Sequence, residues 1–224
     1  MGRKITAAAF LSLDGVMQAP GGPTEDPQGG FEEGGWMFKI WDPGIEPTLG
    51  SLFSGEYDLL LGRRTYDIFA AYWPYAEGEN KPMSEAFDRA NKYVLTRSDQ
   101  PLEWQNSHRL RGVEDIARIK AEQGSDIIIQ GSSTIYGPLL AAGLIDTLIT
   151  ITFPVLLGRG KRLFGDATPV DRLQLTDHTV TDQGTVITTY RPGGTLPPYP
   201  AEAPIPITSE REIERQKRIA AGNW

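Results

Sequence analysis

The sequence predicts an α/β fold with a mixed, mainly parallel sheet, helices on both faces and an antiparallel C-terminal hairpin. Short apolar strands alternate with helical patterns between residues 57 and 142, which is typical of βαβ units. Three strand patterns in succession follow residue 146, and a short turn separates the last two, which is typical of an antiparallel finish. The 224 residues, 39% of them hydrophobic, are enough to bury one sizeable core.

The composition excludes several classes of protein. The chain has no cysteine, which rules out disulfides, thiolate catalysis and cysteine-ligated metals. A net charge of -7 argues against nucleic-acid binding, and no apolar run approaches the about 20 residues of a spanning helix. Two isolated histidines, His108 and His178, make a histidine metal site or a Ser-His-Asp triad unexpected. We therefore expect no metal, nucleic acid or membrane, and a cytoplasmic location.

The N-terminal third contains one strand and one long irregular segment. Lys4 to Leu13 is apolar and β-rich and predicts the first strand. Asp14 to Gly35 holds seven glycines and three prolines, too many for a regular element. An irregular segment this long inside a domain is usually a functional loop. Short helices are expected from Trp36 to Trp41 and from Pro47 to Phe53.

The first βαβ unit follows directly. Tyr57 to Leu61 is almost wholly apolar, as expected for a strand that is covered on both faces. Tyr66, Phe69 and Trp73 recur at helical spacing, and Thr65 is a candidate N-cap.

Two further units complete the parallel part. Lys92 to Thr96 predicts a strand, and a helix that starts near Val113 and ends at Gly124 follows it. Asp126 to Gln130 is the clearest buried strand, and the next helix, marked first by Ile135, closes at a glycine.

The antiparallel part contains strands at Thr147 to Phe153, Leu173 to Thr181 and Thr185 to Arg191, with the turn Asp182-Gln183-Gly184 between the last two. The pattern thus gives a domain of residues 1–191, followed by an extension of residues 192–224. The extension is Pro-rich from Pro192 to Pro206, and Ser209-Glu210-Arg211-Glu212 predicts a capping box that opens a charged helix. We expect this tail to be a solvated appendage or a clamp on the second subunit of a homodimer.

Small and cationic groups follow three strand ends. These segments are Gly62-Arg63-Arg64-Thr65, Thr96-Arg97-Ser98 and Gln130-Gly131-Ser132-Ser133-Thr134. Carboxyl ends of strands form the ligand crevice of an α/β sheet, and glycine, helix-start N–H groups and arginine all suit phosphates. Each segment alone fits an ordinary turn equally well, and none matches G-x-G-x-x-G or a P-loop. Together they predict a site for a ligand with more than one phosphate.

Six segments carry a family resemblance, over Lys4 to about Arg191. The segments are Ser12-Leu13-Asp14-Gly15, Leu61-Gly62-Arg63-Arg64-Thr65-Tyr66, Tyr93-Val94-Leu95-Thr96, Ile127-Ile128-Ile129-Gln130-Gly131-Ser132, Gly143-Leu144-Ile145-Asp146 and the run from Pro154 to Phe164. In order and spacing they resemble the reductase domain of the riboflavin deaminase-reductase group, which shares its fold with dihydrofolate reductase. The resemblance implies a dihydrofolate reductase-like α-β-α sandwich and an NADPH-dependent reductase. The substrate would be a small heterocycle or sugar amine, as for 5-amino-6-(5-phosphoribosylamino)uracil reductase.

The resemblance also implies which residues bind the cofactor. Gly62, Arg63, Arg64 and Thr65 would meet the pyrophosphate and adenosine side, and Thr96, Arg97 and Ser98 would flank the 2′-phosphate and adenine. A second segment would wrap the pyrophosphate at a helix start: Gly131, Ser132, Ser133, Thr134, Ile135 and Tyr136. The loop from Asp14 to Gly35 would cover nicotinamide and substrate and exclude water from the hydride transfer.

The substrate side has fewer candidates. Asp14, just past the first strand, is the catalytic candidate, with Gly15 beside it; its alternative role is to cap the turn. Trp36 is a candidate aromatic wall for a flat ring. Lys161 and Arg162 either bind a substrate phosphate or border a loop.

The sequence departs from the family at two places. Many relatives have Gly-Gly where Gly131-Ser132 stands, and Glu32 and Glu33 do not reproduce the acid of dihydrofolate reductases in a defined register. Dihydrofolate reductase is one alternative function, and a non-catalytic nucleotide-binding or interaction protein is another.

Overall fold

A computed structural model describes residues 2–166, 168–200 and 209–223. The chain divides into two compact units, residues 1–194 and 195–224. Among the described residues, no helix has both the length and the apolar character needed to cross a bilayer. Part of the predicted Pro-rich stretch, residues 201–208, lies outside the described residues.

Within the described residues, eight strands form one sheet. They are β1 (Ile5–Ser12), β2 (Tyr57–Gly62), β3 (Lys92–Leu95), β4 (Ser107–Leu110), β5 (Asp126–Gln130), β6 (Thr147–Phe153), β7 (Asp171–Val180) and β8 (Val186–Thr195). Their order is β4-β3-β2-β5-β1-β6-β8-β7. The pairs from β4 to β6 are parallel, and β8 runs antiparallel to β6. The expected mixed sheet with an antiparallel finish is confirmed.

Seven α-helices accompany these strands in the described part of the chain. They are α1 (Trp36–Lys39), α2 (Glu46–Leu52), α3 (Arg63–Tyr72), α4 (Lys81–Arg89), α5 (Val113–Ala121), α6 (Ser133–Ala141) and α7 (Glu210–Ala220). In α7, Ser209 is the N-cap and its side chain accepts a hydrogen bond from the N–H of Glu212, as the capping box predicts. The sequence analysis missed α4 and β4.

Alternation along the strands separates the core into two faces. Leu60 of β2 packs in the cluster that contains the apolar residues of α5 and α6. Leu59 and Leu61, its neighbours, pack instead with Tyr66 of α3 and Phe87 of α4. Successive side chains of a strand point to opposite faces, so β2 is buried on both, and the sheet lies between two helical layers.

The predicted N-cap of α3 is wrong. The helix begins two residues before Thr65, at Arg63, and Gly62 is its N-cap in an extended conformation. The N–H of Gly62 donates to Oγ of Ser132 at 2.8 Å. This bond, to the serine that follows β5, stabilises the start of α3, which has no local side-chain cap. Thr65 lies inside the first turn of the helix.

A buried lysine supports the far edge of the sheet. Lys92 of β3 is 0% exposed. Its Nζ donates to the carbonyls of Phe87 (2.8 Å) and Asp88 (3.1 Å) and lies 4.4 Å from the centre of the Trp104 ring. Burial lowers the pKa of Lys92 to about 8, although the carboxylates of Asp88 and Asp58 oppose the shift.

This lysine makes stability depend on pH. Above about pH 8 the folded protein loses a proton that an unfolded lysine keeps until about pH 10. The free energy of unfolding should therefore rise between pH 8 and 9.5, by at most about 1.4 kcal/mol per pH unit. Urea unfolding across this range should show the rise in the wild type and in Lys81→Met, an exposed control. Lys92→Met should flatten it, and an unchanged slope in Lys92→Met would assign the effect to other groups.

Candidate functional site

The candidate site is a cavity of about 690 Å³ at the carboxyl ends of β2 and β5. One wall is made by the starts of α3 and α6, and the other by the loop of residues 14–35, called the lid loop below. Polar and small residues of its lining are Gly62, Arg63, Arg64, Thr65, Gly131, Ser132, Ser133, Thr134, Glu25, Asp26 and Lys161. Ligand crevices in open α/β sheets form at this end of the strands.

Two helix starts face this cavity without a side-chain cap. In the part of the chain that the structure describes, α3 and α6 have no side-chain cap hydrogen bond at their N-caps. Gly62 and Ser132, the two N-cap residues, contact each other through the bond described above. Free N–H groups and the positive end of the helix dipole favour anions. The cavity therefore presents two adjacent anion-binding helix ends.

Gly131 allows these helix ends to approach closely. Its φ is +70°, and a Cβ built there would lie 3.0 Å from Cγ2 of Thr65 on α3. Both the left-handed backbone and the contact favour glycine at this position. Ser132 follows in the same left-handed region, with φ 63° and ψ 54°, a backbone that favours glycine.

Two arginines, Arg63 and Arg64, line the cavity at the start of α3. Arg64 is half exposed, and its Nη1 lies 4.0 Å from Oδ2 of Asp26. Arg63 is held against the surface by Asp67 (2.8 Å) and by the carbonyl of Gln100 (2.9 Å). Arg64 is therefore the arginine best placed to meet a phosphate between the two helix starts.

The remaining predicted cofactor residues lie outside the cavity lining. Ile135 and Tyr136 are buried behind the first turn of α6, where the hydroxyl of Tyr136 donates to the carbonyl of Ala8. Thr96 is buried and its hydroxyl accepts from the N–H of Ser98, whereas Arg97 is exposed. These last three follow β3, the strand next to β2.

The carboxylate of Asp14 is bound to the segment that follows β6. Its carboxylate accepts from the hydroxyl of Ser12 (2.6 Å) and from the N–H groups of Leu157 (3.1 Å) and Gly158 (2.8 Å). Burial raises the pKa of Asp14, but these hydrogen bonds outweigh burial and lower it overall. Asp14 thus holds the segment after β6 and lies outside the cavity lining, and its catalytic role stays a prediction.

Other predicted substrate residues also have structural roles. Trp36 is 2% exposed and packs edge-to-face on Phe153 at 5.7 Å between ring centres. Arg162 donates to the carbonyl of Asp14 at 2.9 Å, and Gly15 forms the turn with φ +81°. None of these three lines the cavity, whereas Lys161 does.

The alternative acids lie outside the cavity as well. Glu32 and Glu33 are exposed, and Glu33 pairs with Lys39 at 2.9 Å. Neither lines the cavity. The lid loop instead brings two other carboxylates to the cavity, Glu25 and Asp26, which the sequence analysis did not single out. Within the described residues, no three histidine or carboxylate side chains form a group that could hold a metal ion.

The carboxyl group of Glu25 accepts hydrogen bonds from its own segment of the lid loop. Its Oε2 accepts from the N–H groups of Gly21 (2.7 Å) and Gly22 (3.0 Å). Burial raises the pKa of Glu25 above its usual value, against the effect of these two bonds, and the charge of Asp26 adds to the rise. Its carboxyl therefore holds a proton to higher pH than an exposed glutamate does.

The lid loop is held by one buried amide. Gln18 is 4% exposed; its Nε2 donates to the carbonyls of Asp26 and Gln28, each at 2.9 Å, and its Oε1 accepts from the N–H of Lys161 at 2.9 Å. The carbonyl of Gln18 accepts from Nε1 of Trp36. The side chain of Gln18 thus connects the start of the lid loop to its middle and to the segment after β6.

Removing this amide should loosen the loop. Gln18→Met keeps the size of the side chain but leaves two carbonyls and an N–H without their partner, and we expect a loss of about 1 to 3 kcal/mol. Thermal unfolding measures the loss, and hydrogen exchange of residues 19–30 should become faster. Gln100→Met, at an exposed position, is the control. Unchanged exchange in Gln18→Met would show that other contacts hold the loop.

Comparison with known proteins identifies similar chains. Residues 3–187 match the model of the family described as the RibD C-terminal domain. The Bacillus subtilis (strain 168) protein YyaP is 25% identical over 198 residues, which cover 86% of this chain and 96% of YyaP.

Two solved structures show the same fold. A putative riboflavin biosynthesis protein from Shewanella sp. PV-4 matches with a TM-score of 0.62 and 21% identity, over 86% of this chain and 99% of that one. Dihydrofolate reductase from Enterococcus faecalis, complexed with NADP(H), matches with a TM-score of 0.55 and 16% identity, over 85% and 96%. The predicted dihydrofolate reductase-like fold is thereby confirmed.

Proposed function

Since the chain belongs to the RibD C-terminal domain family, we propose that it is an NADPH-dependent reductase of a small heterocyclic or sugar-amine substrate. Family and fold support a reductase role. The observation that carries the proposal is the pair of uncapped helix starts, at α3 and α6, which face one cavity beside Arg64. The family placement agrees with the resemblance found in the sequence.

The residues present fit a dinucleotide. The close approach of the helix starts at Gly131 provides N–H donors from two directions, as a pyrophosphate requires. Arg64 adds a charge-assisted donor, and Arg97 stands exposed at the end of β3 for the 2′-phosphate. When bound, the cofactor supplies the hydride, and the protein supplies binding, orientation and exclusion of water.

The protein's own contribution lies in the lid loop and its apolar surroundings. Met17, Met37 and Phe38 line the cavity together with Phe10 of β1. These side chains exclude water from the reacting rings, and Gln18 keeps the loop closed over them. Glu25 also lines the cavity and, because its pKa is raised, it is the carboxyl best suited to supply the proton that the reduction consumes.

Titration with NADPH and NADH, followed by nicotinamide and tryptophan fluorescence, tests the proposal. We expect micromolar NADPH binding and much weaker NADH binding. Arg97→Ala should weaken NADPH roughly tenfold or more, since a charged hydrogen bond is worth about 1.5 to 3 kcal/mol, and leave NADH nearly unchanged. Arg118→Ala, at an exposed position of α5, is the control. An equal effect on both cofactors would refute the role of Arg97, and no binding of either would refute the reductase.

A further inference from the structure

Two cations from opposite walls of the cavity meet one carboxylate of the lid loop. Nζ of Lys161, after β6, lies 2.5 Å from Oδ2 of Asp26. Nη1 of Arg64, on α3, lies 4.0 Å from the same oxygen. The side chain of Asp26 is only 10% exposed. A carboxylate therefore occupies the place beside Lys161 where an anionic group of the substrate would otherwise bind, next to the arginine proposed for the cofactor.

Asp26 is held in this place by its own backbone. Its carbonyl accepts from the buried amide of Gln18, and its Oδ1 accepts from the N–H of Gln28 at 3.3 Å. The backbone of Lys161 is bound to the same amide, and its Nζ lies 3.4 Å from Oε1 of Gln28. Both partners of the ion pair are thus positioned by the same buried side chain, which distinguishes the pair from an incidental surface contact.

A second carboxyl group lies at this end of the cavity. Glu25 lies next to Asp26 in the chain and lines the cavity. Of the two sequence-predicted phosphate ligands, Lys161 is neutralised by Asp26, and Arg162 lies outside the cavity lining, held by the carbonyl of Asp14. Four apolar side chains also line the cavity, those of Phe10, Met17, Met37 and Phe38.

We propose that the substrate of this site is an uncharged or basic ring compound that carries no phosphate, and that Asp26 takes the place of a substrate phosphate on Lys161. A phosphate at Lys161 would have to displace Asp26 and leave a nearly buried carboxylate beside a second anion. Like charges this close, one of them on a nearly buried carboxylate, repel each other. The lid loop thus selects against phosphorylated sugar amines. This inference rests on the proposed function, because it describes the second ligand of the same cavity.

The test uses ribose 5-phosphate as the probe and ribose as its uncharged match. Binding is measured by calorimetry on the full chain saturated with NADPH, so that the cofactor occupies its own phosphate sites. The proteins are the wild type, Lys161→Ala, Asp26→Asn and the double variant Asp26→Asn/Lys161→Ala. If NADPH does not bind, the proposed function is refuted separately from this inference. Ribose 5-phosphate binding to the same four proteins without cofactor then still shows whether Asp26 blocks Lys161.

We expect Lys161→Ala to leave the weak affinity of the wild type for ribose 5-phosphate unchanged. Asp26→Asn should raise this affinity roughly tenfold, because it frees one charged donor, and the double variant should lose the gain. Ribose should not distinguish the four proteins. A wild-type affinity that falls in Lys161→Ala would overturn the proposal, and so would a folded Asp26→Asn that gains nothing. If Asp26→Asn does not fold, the wild type and Lys161→Ala still decide the question.

Discussion

Replacing Gly131 by valine should lower the affinity for NADPH about 100-fold while the protein stays folded. The Cβ would lie 3.0 Å from Cγ2 and 3.2 Å from Oγ1 of Thr65, so Thr65 must give way, and we expect the branched side chain of valine to push the starts of α3 and α6 apart. A pyrophosphate bound to both helix starts would then lose about two charge-assisted hydrogen bonds, each worth about 1.5 kcal/mol or more. Fluorescence titration measures the affinity, and circular dichroism verifies the fold.

Gly143→Val is the matched control for this experiment. Gly143 also has a left-handed backbone, with φ +64°, but nothing lies within 4 Å of its Cβ position. It follows α6 at the opposite end of that helix, away from the cavity lining. In both variants a side chain must adopt the left-handed backbone, which costs about 1 to 2 kcal/mol. Only Gly131→Val should lower the affinity for NADPH. Equal NADPH affinities in the two variants would show that the helix starts do not bind it.

Replacing Asp58 by alanine should lower the free energy of unfolding by about 3 to 5 kcal/mol. Asp58 is 6% exposed and pairs with Arg3, which is 5% exposed. It also accepts from the N–H and the side-chain amide of Asn91, at 2.9 and 3.0 Å. Removing the Asp58 carboxylate leaves the buried guanidinium of Arg3 without its counter-charge. An uncompensated buried charge is strongly destabilising. Urea unfolding at neutral pH measures the loss.

An exposed ion pair provides the comparison. In the pair of Glu33 and Lys39, the side chains are 53% and 58% exposed, so Glu33→Ala should change stability by about 0.5 kcal/mol or less. A loss below about 1 kcal/mol in Asp58→Ala would mean that water reaches Arg3 and replaces the carboxylate. The comparison separates the effect of burial from the effect of charge alone.

Much of the fold could be predicted from local patterns. Strands β2 and β5 are almost continuously apolar and lie in the middle of the sheet. The spacing of Tyr66, Phe69 and Trp73 predicted helix α3. The missed strand β4 is an edge strand in which only Leu110 is buried, so it lacks an apolar pattern. The missed helix α4 does have an apolar pattern, at Met83, Ala86 and Phe87, and these residues pack in the cluster around β2 and α3.

The two sides of the candidate site differed in how far they could be predicted. The expected phosphate-binding groups at Gly62 to Thr65 and at Gly131 to Thr134 do line one cavity. Parallel strands bring their carboxyl ends to the same edge, so short segments after β2 and β5 meet whatever the intervening sequence is. The substrate side did not follow this rule. The carboxylate of Asp14 holds the segment after β6, Trp36 packs in the core, and no sequence pattern marked Asp26.

By itself, the sequence determined the family, the alternation of strands and helices, and the strand ends where small and cationic residues gather. These features depend on the spacing of neighbouring residues, which a sequence displays directly. The tertiary structure alone decided which charges remain available. Lys161 is neutralised by a carboxylate 135 positions earlier in the chain, and one buried amide, Gln18, sets the positions of both. Contacts between such distant residues depend on how the lid loop folds back over the sheet, and no local pattern encodes that path.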